Sequence, residues 1–488
     1  MIYNRGTKEA SVLLFKQVYD YLLERIQRGE WKEGEKLPSI RALSAELHVH
    51  RLTVFKAYQL LKKNSKVYVK DKQGYYVRST VSESVHPRQD PIIRGFVQGS
   101  SLSEIRDVKA DYTFSIALLD PNLLPNHYFS EYVKKVFDLY PKVLGTYSTI
   151  QGDEELREAL SHYFTEKHRF YLSSDELLVT SGSQEAIDLI ARVIVKPRDI
   201  VLLERPTYSP AIDVFTRQGA RILPVEIHRQ GYDLEEVERL MKQYKPRLFY
   251  LNPTFHNPTG YTVPAEQRKK LVELAQKYRC LLIEDDPYRD IYFDKEPPLP
   301  MFAYDTSGYV IYVRSFSKYV APGLGIAVVA CRPAVMKELL RAKSLSDSGT
   351  PLLNQKIFLR YFFSERLQQH LAKLRIALAV RKEIMEQELT DTGCSWESPS
   401  GGFNLWVRLP GHVHLETLLE ASTASSITFV PGCICDPLKE YRSWIRISYS
   451  FLNEQQIREG MSRFKGLFRQ NVAASALAFM LPNRDNKA

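Results

Sequence analysis

The sequence has few cysteines and no long apolar run, and each shortage excludes a class of protein. Five cysteines in 488 residues are an odd, widely spaced set, which argues against a disulfide framework and for a reducing cytoplasm. No stretch approaches the roughly 18 apolar residues of a membrane-spanning helix, and the first residues lack the charged-then-apolar order of a signal peptide. We therefore expect a cytoplasmic protein without a membrane partner. Cys433 and Cys435 have no further ligands nearby, so no metal site is predicted.

Positive charge is concentrated near the start of the chain. Residues 1–78 contain 16 Lys and Arg against 8 Asp and Glu, so they carry +8 of the net charge of +10. A basic head on a nearly neutral body indicates a nucleic-acid partner for the head, although a merely basic soluble surface would give the same count. The chain length is that of roughly three domain-sized units.

The head has the pattern of three helices followed by a hairpin. Apolar residues recur at helical spacing from Phe15 to Ile26, and Gly29 is expected to end this first helix. Ser39 can cap the second helix, and a tight turn leads into the third. The second helix, the third helix and the hairpin are predicted at residues 39–47, 51–63 and 70–78.

Two short motifs in the head resemble those of GntR-type bacterial regulators. They are Leu-Pro-Ser-Ile-Arg at 37–41 and Arg-Leu-Thr at 51–53, and the resemblance to a winged helix-turn-helix covers about residues 10–78. It implies that Arg41, Arg51 and Thr53 contact double-stranded operator DNA. Physical arguments also favour these DNA contacts, because a helix N-terminus presents donors to phosphates and the third helix can lie in a major groove. A helical bundle with no DNA role is the alternative.

Two positions of the head depart from this resemblance. His50 stands where the family usually has a serine, so the cap of the third helix is expected to differ. Leu52 occupies a position that is commonly polar.

A linker and a large body follow the head. Residues 79–110 are polar and aperiodic, which predicts a linker of about 30 residues. From residue 111 to 470, short apolar strands alternate with periodic helices. This alternation predicts an α/β fold whose mainly parallel sheet is covered by helices on both faces.

Five predicted strands are each followed by a loop that carries polar or aromatic groups. The strands are predicted at 177–180, 200–204, 248–251, 281–284 and 309–313. In such folds ligands lie beyond the carboxyl ends of the strands, so we expect the five loops to meet. In chain order, the residues they offer are Ser183 and Gln184 at a helix start, Tyr208, Asn257, Asp285, Tyr288, Ser315, Ser317 and Lys318.

Lys318 suggests what this set of loops does. A lysine amine can carry the aldehyde of pyridoxal 5'-phosphate (PLP) as a Schiff base, and Ser315 and Ser317 can hold a phosphate beside it. The motifs Asn-Pro-Thr-Gly at 257–260 and Ser-x-Ser-Lys at 315–318, in this order, resemble those of the fold-type I aminotransferases. Joined to the head, the chain resembles a MocR-type regulator over about residues 10–470.

This resemblance implies a role for each residue and the layout of the body. Residues from about 350 to 470 are expected to form a small C-terminal α+β domain, and the site is expected at the interface of a homodimer. Asp285 is expected to bind the pyridine nitrogen. The remaining implied roles are Tyr288 and Asn257 on the phenolic oxygen, Tyr208 stacked on the ring, Ser183, Gln184, Ser315 and Ser317 on the phosphate, and Arg446 on a substrate or effector carboxylate.

One position in the site departs from the family. Families with Ser-x-Ser-Lys usually have an arginine seven residues after the lysine, where it pairs with the cofactor phosphate, and this chain has Gly325. Losing one charge-assisted contact costs about 1.5–3 kcal/mol unless another cation replaces it.

Three functions are compatible with the sequence. The first is a PLP-dependent, DNA-binding transcriptional regulator that senses an amino acid, an amine or PLP itself through an external-aldimine switch at Lys318. The second is an active aminotransferase with a vestigial head. The third is a regulator whose body is a cofactor-free dimerisation scaffold, an alternative to which Gly325 gives weight.

Overall fold

The computed structural model describes residues 8–28, 30–31, 34–63, 66–70, 74–77 and 108–480. The chain divides into two compact units, Met1–Gln98 and Gly99–Ala488. Most of the predicted linker, residues 79–107, lies outside the described residues, so the boundaries of the linker stay a prediction.

The head contains three helices and a two-stranded antiparallel sheet. These elements are α1 Lys8–Gln27, α2 Ile40–Glu46, α3 Arg51–Lys63, β1 Val67–Lys70 and β2 Gly74–Val77. Apolar side chains of all three helices and of β1, including Leu22, Leu43, Val54 and Val67, are buried together. The sequence placed the hairpin at 70–78 and was wrong about its first strand, which ends at Lys70 instead of beginning there.

The body is built on an eight-stranded sheet. Its strands in chain order are β4 Leu177–Thr180, β5 Ile200–Arg205, β6 Arg221–His228, β7 Gly231–Tyr232, β8 Leu248–Leu251, β9 Leu281–Asp286, β10 Val310–Ser315 and β11 Ala327–Ala330. Their spatial order is β4-β11-β10-β9-β8-β5-β6-β7, and only β11 and β7 run antiparallel to their neighbours. The predicted mainly parallel sheet is therefore confirmed.

Helices cover both faces of this sheet. They are α4 Asn126–Leu139, α5 Glu154–His168, α6 Ser183–Ile194, α7 Ser209–Arg217, α8 Leu234–Tyr244, α9 Ala265–Tyr278, α10 Pro333–Ser344 and α11 Leu352–Phe362. Strands β4, β8 and β10 are buried along their whole length, which explains why apolar residues make up most of each strand. Two buried clusters, one on each side of the sheet, form the core.

A smaller α+β region contains the last strands. Its elements are α12 Glu365–Leu389, β12 Ser395–Trp396, β13 Asn404–Arg408, α13 Leu415–Ala424, β14 Ile427–Thr428, β15 Val430–Pro431, β16 Trp444–Ser448 and α14 Glu454–Met480. Strands β12, β13, β16 and β15 form an antiparallel sheet. Strand β14 pairs in parallel with β3 Tyr112–Thr113, so the start of the body returns to the smaller region.

The described residues lack two features, a membrane-spanning helix and a cluster of metal ligands. In the described part of the chain, no helix has both the length and the apolar character needed to cross a membrane. The same residues contain no group of three or more His, Cys, Asp or Glu side chains placed to hold a metal ion.

Candidate functional site

Five strands bring the predicted loops to one edge of the large sheet. Strands β5, β8, β9 and β10 are parallel neighbours, and β4 points the same way because β11 is antiparallel to both β4 and β10. Beyond their carboxyl ends lies a cavity of about 230 Å³. This volume is just below the range of about 300–1,000 Å³ for drug-sized ligands, and a substituted pyridine ring is smaller than those.

The cavity gathers all nine residues that the sequence proposed for a cofactor. Its lining includes Ser183, Gln184, Tyr208, Asn257, Asp285, Tyr288, Ser315, Ser317 and Lys318. The remaining lining residues are Leu118, Ser181, Gly182, Asn252 and Pro287. The loops therefore meet as expected, while the role of each side chain stays a prediction.

Asp285 is the buried carboxylate of this cavity. Its Oδ2 accepts a hydrogen bond from the Tyr250 hydroxyl at 2.7 Å, and its Oδ1 is buried without a hydrogen-bond partner among the described residues. Burial raises the pKa of Asp285 to about 7, against the opposing effects of the Tyr250 hydrogen bond and the charge of Lys318. An orphaned carboxylate oxygen fits a protonated pyridine nitrogen, which would satisfy it with a charge-assisted bond.

The raised pKa gives the apoprotein a stability that depends on pH. Between the unfolded value of 3.8 and about 7, the folded state holds a proton that the unfolded state has released. The contribution to unfolding free energy is therefore complete below about pH 4 and is lost as pH rises through 7. We expect Asp285→Asn to stabilise apoprotein relative to wild type at pH 8 and less so at pH 5.

Urea unfolding of apoprotein at the two pH values measures this difference. Asp294→Asn, which changes an exposed carboxylate on the same connecting segment, is the matched control and should leave the pH dependence unchanged. Equal pH dependence in wild type and Asp285→Asn would contradict the assignment.

One end of the cavity is shaped for a phosphate. Helix α6 begins there after Gly182, whose φ of 109° lies in the region that favours glycine. The first N–H groups of a helix lack internal partners and attract anions. The hydroxyls of Ser183, Ser315 and Ser317 line the same cavity, so neutral donors can surround a phosphate group.

No arginine joins these donors among the residues described around the cavity. Gly325 adopts a left-handed conformation with φ of 61°, and a Cβ there would lie 3.7 Å from the Ser181 carbonyl oxygen. Among the described residues that line the cavity, Lys318 is the only cation. The cation missing at Gly325 is thus not replaced by a described residue in the cavity wall.

Lys318 and Arg446 are anchored by the beginning of the body. The Lys318 Nζ donates to the Ala117 carbonyl at 3.3 Å. Arg446 on β16 is buried, and it donates from Nη1 to Asn257 Oδ1 at 3.2 Å and from Nη2 to the Ser115 carbonyl at 2.5 Å. The arginine therefore touches a cavity residue without lining the cavity itself.

Sequence reasoning missed the residues that hold the loops in place. Asn252 donates from Nδ2 to the Asp285 carbonyl at 2.6 Å and accepts from the Asn257 backbone N–H at 2.7 Å. Its signal was available, because the Asn-Pro-Thr that begins at Asn252 repeats at Asn257. Arg268 is fully buried and donates to the carbonyls of Pro253 and Val263 and to the Thr254 hydroxyl.

The head presents its three predicted DNA residues at the surface of α2 and α3. Arg41 and Arg51 are exposed and Thr53 is half-buried. Ser39 caps α2 as predicted, since its hydroxyl accepts from the Ala42 N–H at 3.1 Å. His50 provides the altered cap of α3, because its Nδ1 accepts from the Leu52 N–H at 3.2 Å.

Comparison with known families gives two matches along the chain. Residues 128–464, more than half of the chain, match the family described as aminotransferase class I and II. Residues 14–77 match the family of bacterial regulatory proteins described as gntR.

Relatives of both kinds exist. Aromatic-amino-acid aminotransferase 1 of Thermococcus litoralis is 30% identical over 77% of this chain and 93% of its own length. YdfD of Bacillus subtilis, described as an uncharacterized HTH-type transcriptional regulator, is 27% identical over 94% of this chain and 97% of its own. The crystal structure of LysN, an alpha-aminoadipate aminotransferase from Thermus thermophilus complexed with N-(5'-phosphopyridoxyl)-L-leucine, has a TM-score of 0.72 and 29% identity, covering 78% of this chain and 97% of its own.

Proposed function

This chain belongs to the aminotransferase class I and II family and carries a gntR-type head, and we propose that it regulates transcription by sensing an amino compound, or PLP itself, through Lys318. At the level of the family, the chain is a MocR-type, DNA-binding regulator with PLP as its cofactor. Our proposal concerns the sensing step at Lys318 and the chemical class of the effector.

The observation that carries the proposal is the convergence of Lys318 and Asp285 on one cavity. Lys318 supplies an amine, and the orphaned Oδ1 of Asp285 can hold a pyridinium N–H. When bound, PLP supplies an aldehyde carbon that forms an imine with an amine and an electron-poor ring. The half-buried Tyr208 offers an aromatic face for the ring, and the α6 N-terminus offers donors for its phosphate.

The proposed switch is an exchange of amines. Lys318 would hold the aldehyde carbon of bound PLP through Nζ and would be released as a free amine when an effector amine takes its place, so no net water would be gained or lost. Arg446 would bind the effector carboxylate with its guanidinium fork, after giving up its contact with Asn257. The resulting change in the body is passed to the head. The resemblance to fold-type I aminotransferases supports a homodimer as the unit that responds.

Absorbance titration of the purified protein tests the cofactor and the sensor together. PLP is added first, borohydride reduction traps any lysine imine, and a panel of amino acids and amines follows. We expect a lysine-linked chromophore that shifts with some members of the panel. A colourless protein that neither takes up PLP nor is labelled on reduction would favour the cofactor-free scaffold instead.

A prediction about the head concerns Arg51, which lies at the N-terminus of α3. We expect Arg51→Ala to weaken binding to DNA upstream of the protein's own gene by about tenfold, because a phosphate contact is lost. The salt dependence of binding should also decrease by about one unit of slope. Fluorescence anisotropy at several salt concentrations measures both quantities.

Arg28→Ala is the matched control for this experiment. Arg28 is an exposed arginine of the same head, paired with Glu24 on α1, so its loss should leave DNA affinity nearly unchanged. Equal affinities of Arg51→Ala and wild type would remove Arg51 from the interface.

A second function, aminotransferase activity, is favoured by one observation. Lys318, Asp285 and Arg446 are all placed at or beside the cavity, which is the set that amino-group transfer to a keto acid requires. Rapid turnover of an amino donor with a keto acid, together with no affinity for DNA, would support this function over the regulator.

A further inference from the structure

A second cavity of about 630 Å³ lies in the body, away from the cofactor site. It lies between the end of α5, the connection after β9 and the junction of α11 and α12. None of its lining residues is shared with the cavity around Lys318. Its volume falls within the range of small-molecule sites in proteins.

A buried histidine lies in the wall of this cavity. His168 is only 5% exposed, and its ring stands edge-on to the ring of Tyr163. Burial and the charges of Arg289 and Arg314 lower the pKa of His168 to about 3, so its ring is neutral. Burial also raises the pKa of Tyr163, so that hydroxyl keeps its proton and can donate. This part of the wall is therefore uncharged and offers one hydrogen-bond donor.

Arg375 supplies a positive charge that is held in position. Its Nε donates to the Asp290 carbonyl at 2.8 Å, and its guanidinium lies 3.7 Å from the centre of the Tyr292 ring. These two contacts fix the plane of the guanidinium. No described residue accepts from its Nη1 or Nη2, so the fork that binds a carboxylate remains available.

The remaining walls combine aromatic rings with charged groups of both signs. Tyr163 packs its ring against Phe362 at 5.1 Å and Phe363 at 6.4 Å, and both phenylalanines line the cavity. The charged residues of these walls include Glu166, Glu296, Glu365, Lys167 and Arg289. The rings favour a flat or branched apolar body. The three glutamates outnumber the two bases, so they disfavour a second negative charge once Arg375 holds the first.

We propose that this cavity binds a small monocarboxylate with an apolar, preferably aromatic, body. Arg375 takes the carboxylate, the rings of Tyr163, Tyr292 and Phe363 surround the body, and the Tyr163 hydroxyl is a further donor. The site is independent of the cofactor and of the amine exchange at Lys318.

Although the two cavities bind separately, the wall of the second contacts residues that adjoin the cofactor site. Asp290 lines it and accepts from the buried Arg314 at 2.5 Å and from the Tyr319 hydroxyl. Tyr319 follows Lys318 in the chain, and Arg314 also donates to the carbonyl of Asp286, the neighbour of Asp285, at 2.8 Å. The wall of the second cavity and the floor of the first are thus joined through one buried ion pair.

Calorimetric titration of PLP-loaded, full-length protein with 3-phenylpropionate tests the proposal. This acid has no amine and so cannot form an imine with PLP, which separates the second cavity from effector exchange. We expect saturable binding that Arg375→Ala weakens by about tenfold or more, through loss of a charge-assisted contact. Phe363→Ala changes an exposed ring, so it keeps the fold, and it should weaken binding several-fold.

Two further measurements sharpen the result. Phenylsuccinate, with a second carboxylate, should bind more weakly than 3-phenylpropionate because of the three glutamates. Arg366→Ala, which removes an arginine paired with Glu131 outside the cavity, should leave the affinity unchanged.

Other outcomes would overturn the proposal. Absence of binding at millimolar 3-phenylpropionate would do so. Loss of binding in Arg446→Ala but not in Arg375→Ala would place the acid in the cofactor site, which would also overturn the proposal. The proposed cofactor function would survive either result, since PLP uptake is measured separately.

Discussion

Lys318→Ala is expected to abolish both the lysine-linked chromophore and the response to effector. Without Nζ, the described lining of the cavity offers no amine that an arriving effector amine could displace. The defect should be complete rather than graded, because the exchange depends on a single nitrogen. Absorbance and borohydride trapping measure the loss of the chromophore, and a reporter driven by the protein's own promoter measures the loss of the response.

The control for this variant is another lysine of the body. Lys337→Ala changes an exposed side chain on α10, and it should retain chromophore and response. DNA affinity without effector should be equal in wild type and both variants, since the head forms a separate compact unit. A reporter in which Lys318→Ala responds like wild type would show that the proposed exchange is wrong.

Arg268→Met is expected to cause the largest loss of stability. Arg268 is fully buried, lies 3.7 Å from Glu284 and donates to four acceptors, which are the carbonyls of Val263, Pro253 and Leu299 and the Thr254 hydroxyl. Removing one partner of a buried ion pair costs about 3–5 kcal/mol. Methionine fills much of the volume, so most of this cost is electrostatic rather than the result of a cavity.

The same substitution should also weaken PLP binding. Arg268 ties the loop that carries Asn257 to Glu284, and Glu284 precedes Asp285 on β9. Burial raises the pKa of Glu284 to about 7 and Arg268 opposes that rise, so without the arginine the carboxyl protonates more easily. We therefore expect the loss of stability to be larger at pH 8 than at pH 6.

Urea unfolding and PLP titration at both pH values measure these effects. Lys270→Met on the exposed side of α9 is the matched control, and its effect should stay within about 0.5 kcal/mol. If Arg268→Met unfolds at the same urea concentration as wild type, the buried pair does not contribute as described.

Local sequence patterns predicted most of the fold. Strands β4 and β8 begin and end at the predicted residues, because each is a short apolar segment between clear breaks. The five loops could be assembled in advance because parallel strands place their carboxyl ends at one edge. The pairing of β3 with β14 could not be predicted, because each strand has only two residues. Two residues are too few to show the alternation of buried and exposed side chains that marks a strand.

The candidate site was predicted less completely than the fold. The sequence located the groups that face the cavity, but not the groups behind them. Arg268 is a charged residue in a helix with many charges, and nothing local distinguishes it from the exposed Lys269 beside it. The second cavity was also missed, since His168, Asp290 and Arg375 come from three distant segments and meet only in the folded chain.

Gly325 has a consequence for the range over which the protein can respond. A phosphate held by neutral donors, without the arginine, loses about 1.5–3 kcal/mol, which is about 10- to 150-fold in the dissociation constant. A cofactor bound that much less tightly exchanges with the free pool instead of remaining for the lifetime of the protein. We therefore expect the fraction of loaded molecules to rise and fall with the concentration of free PLP.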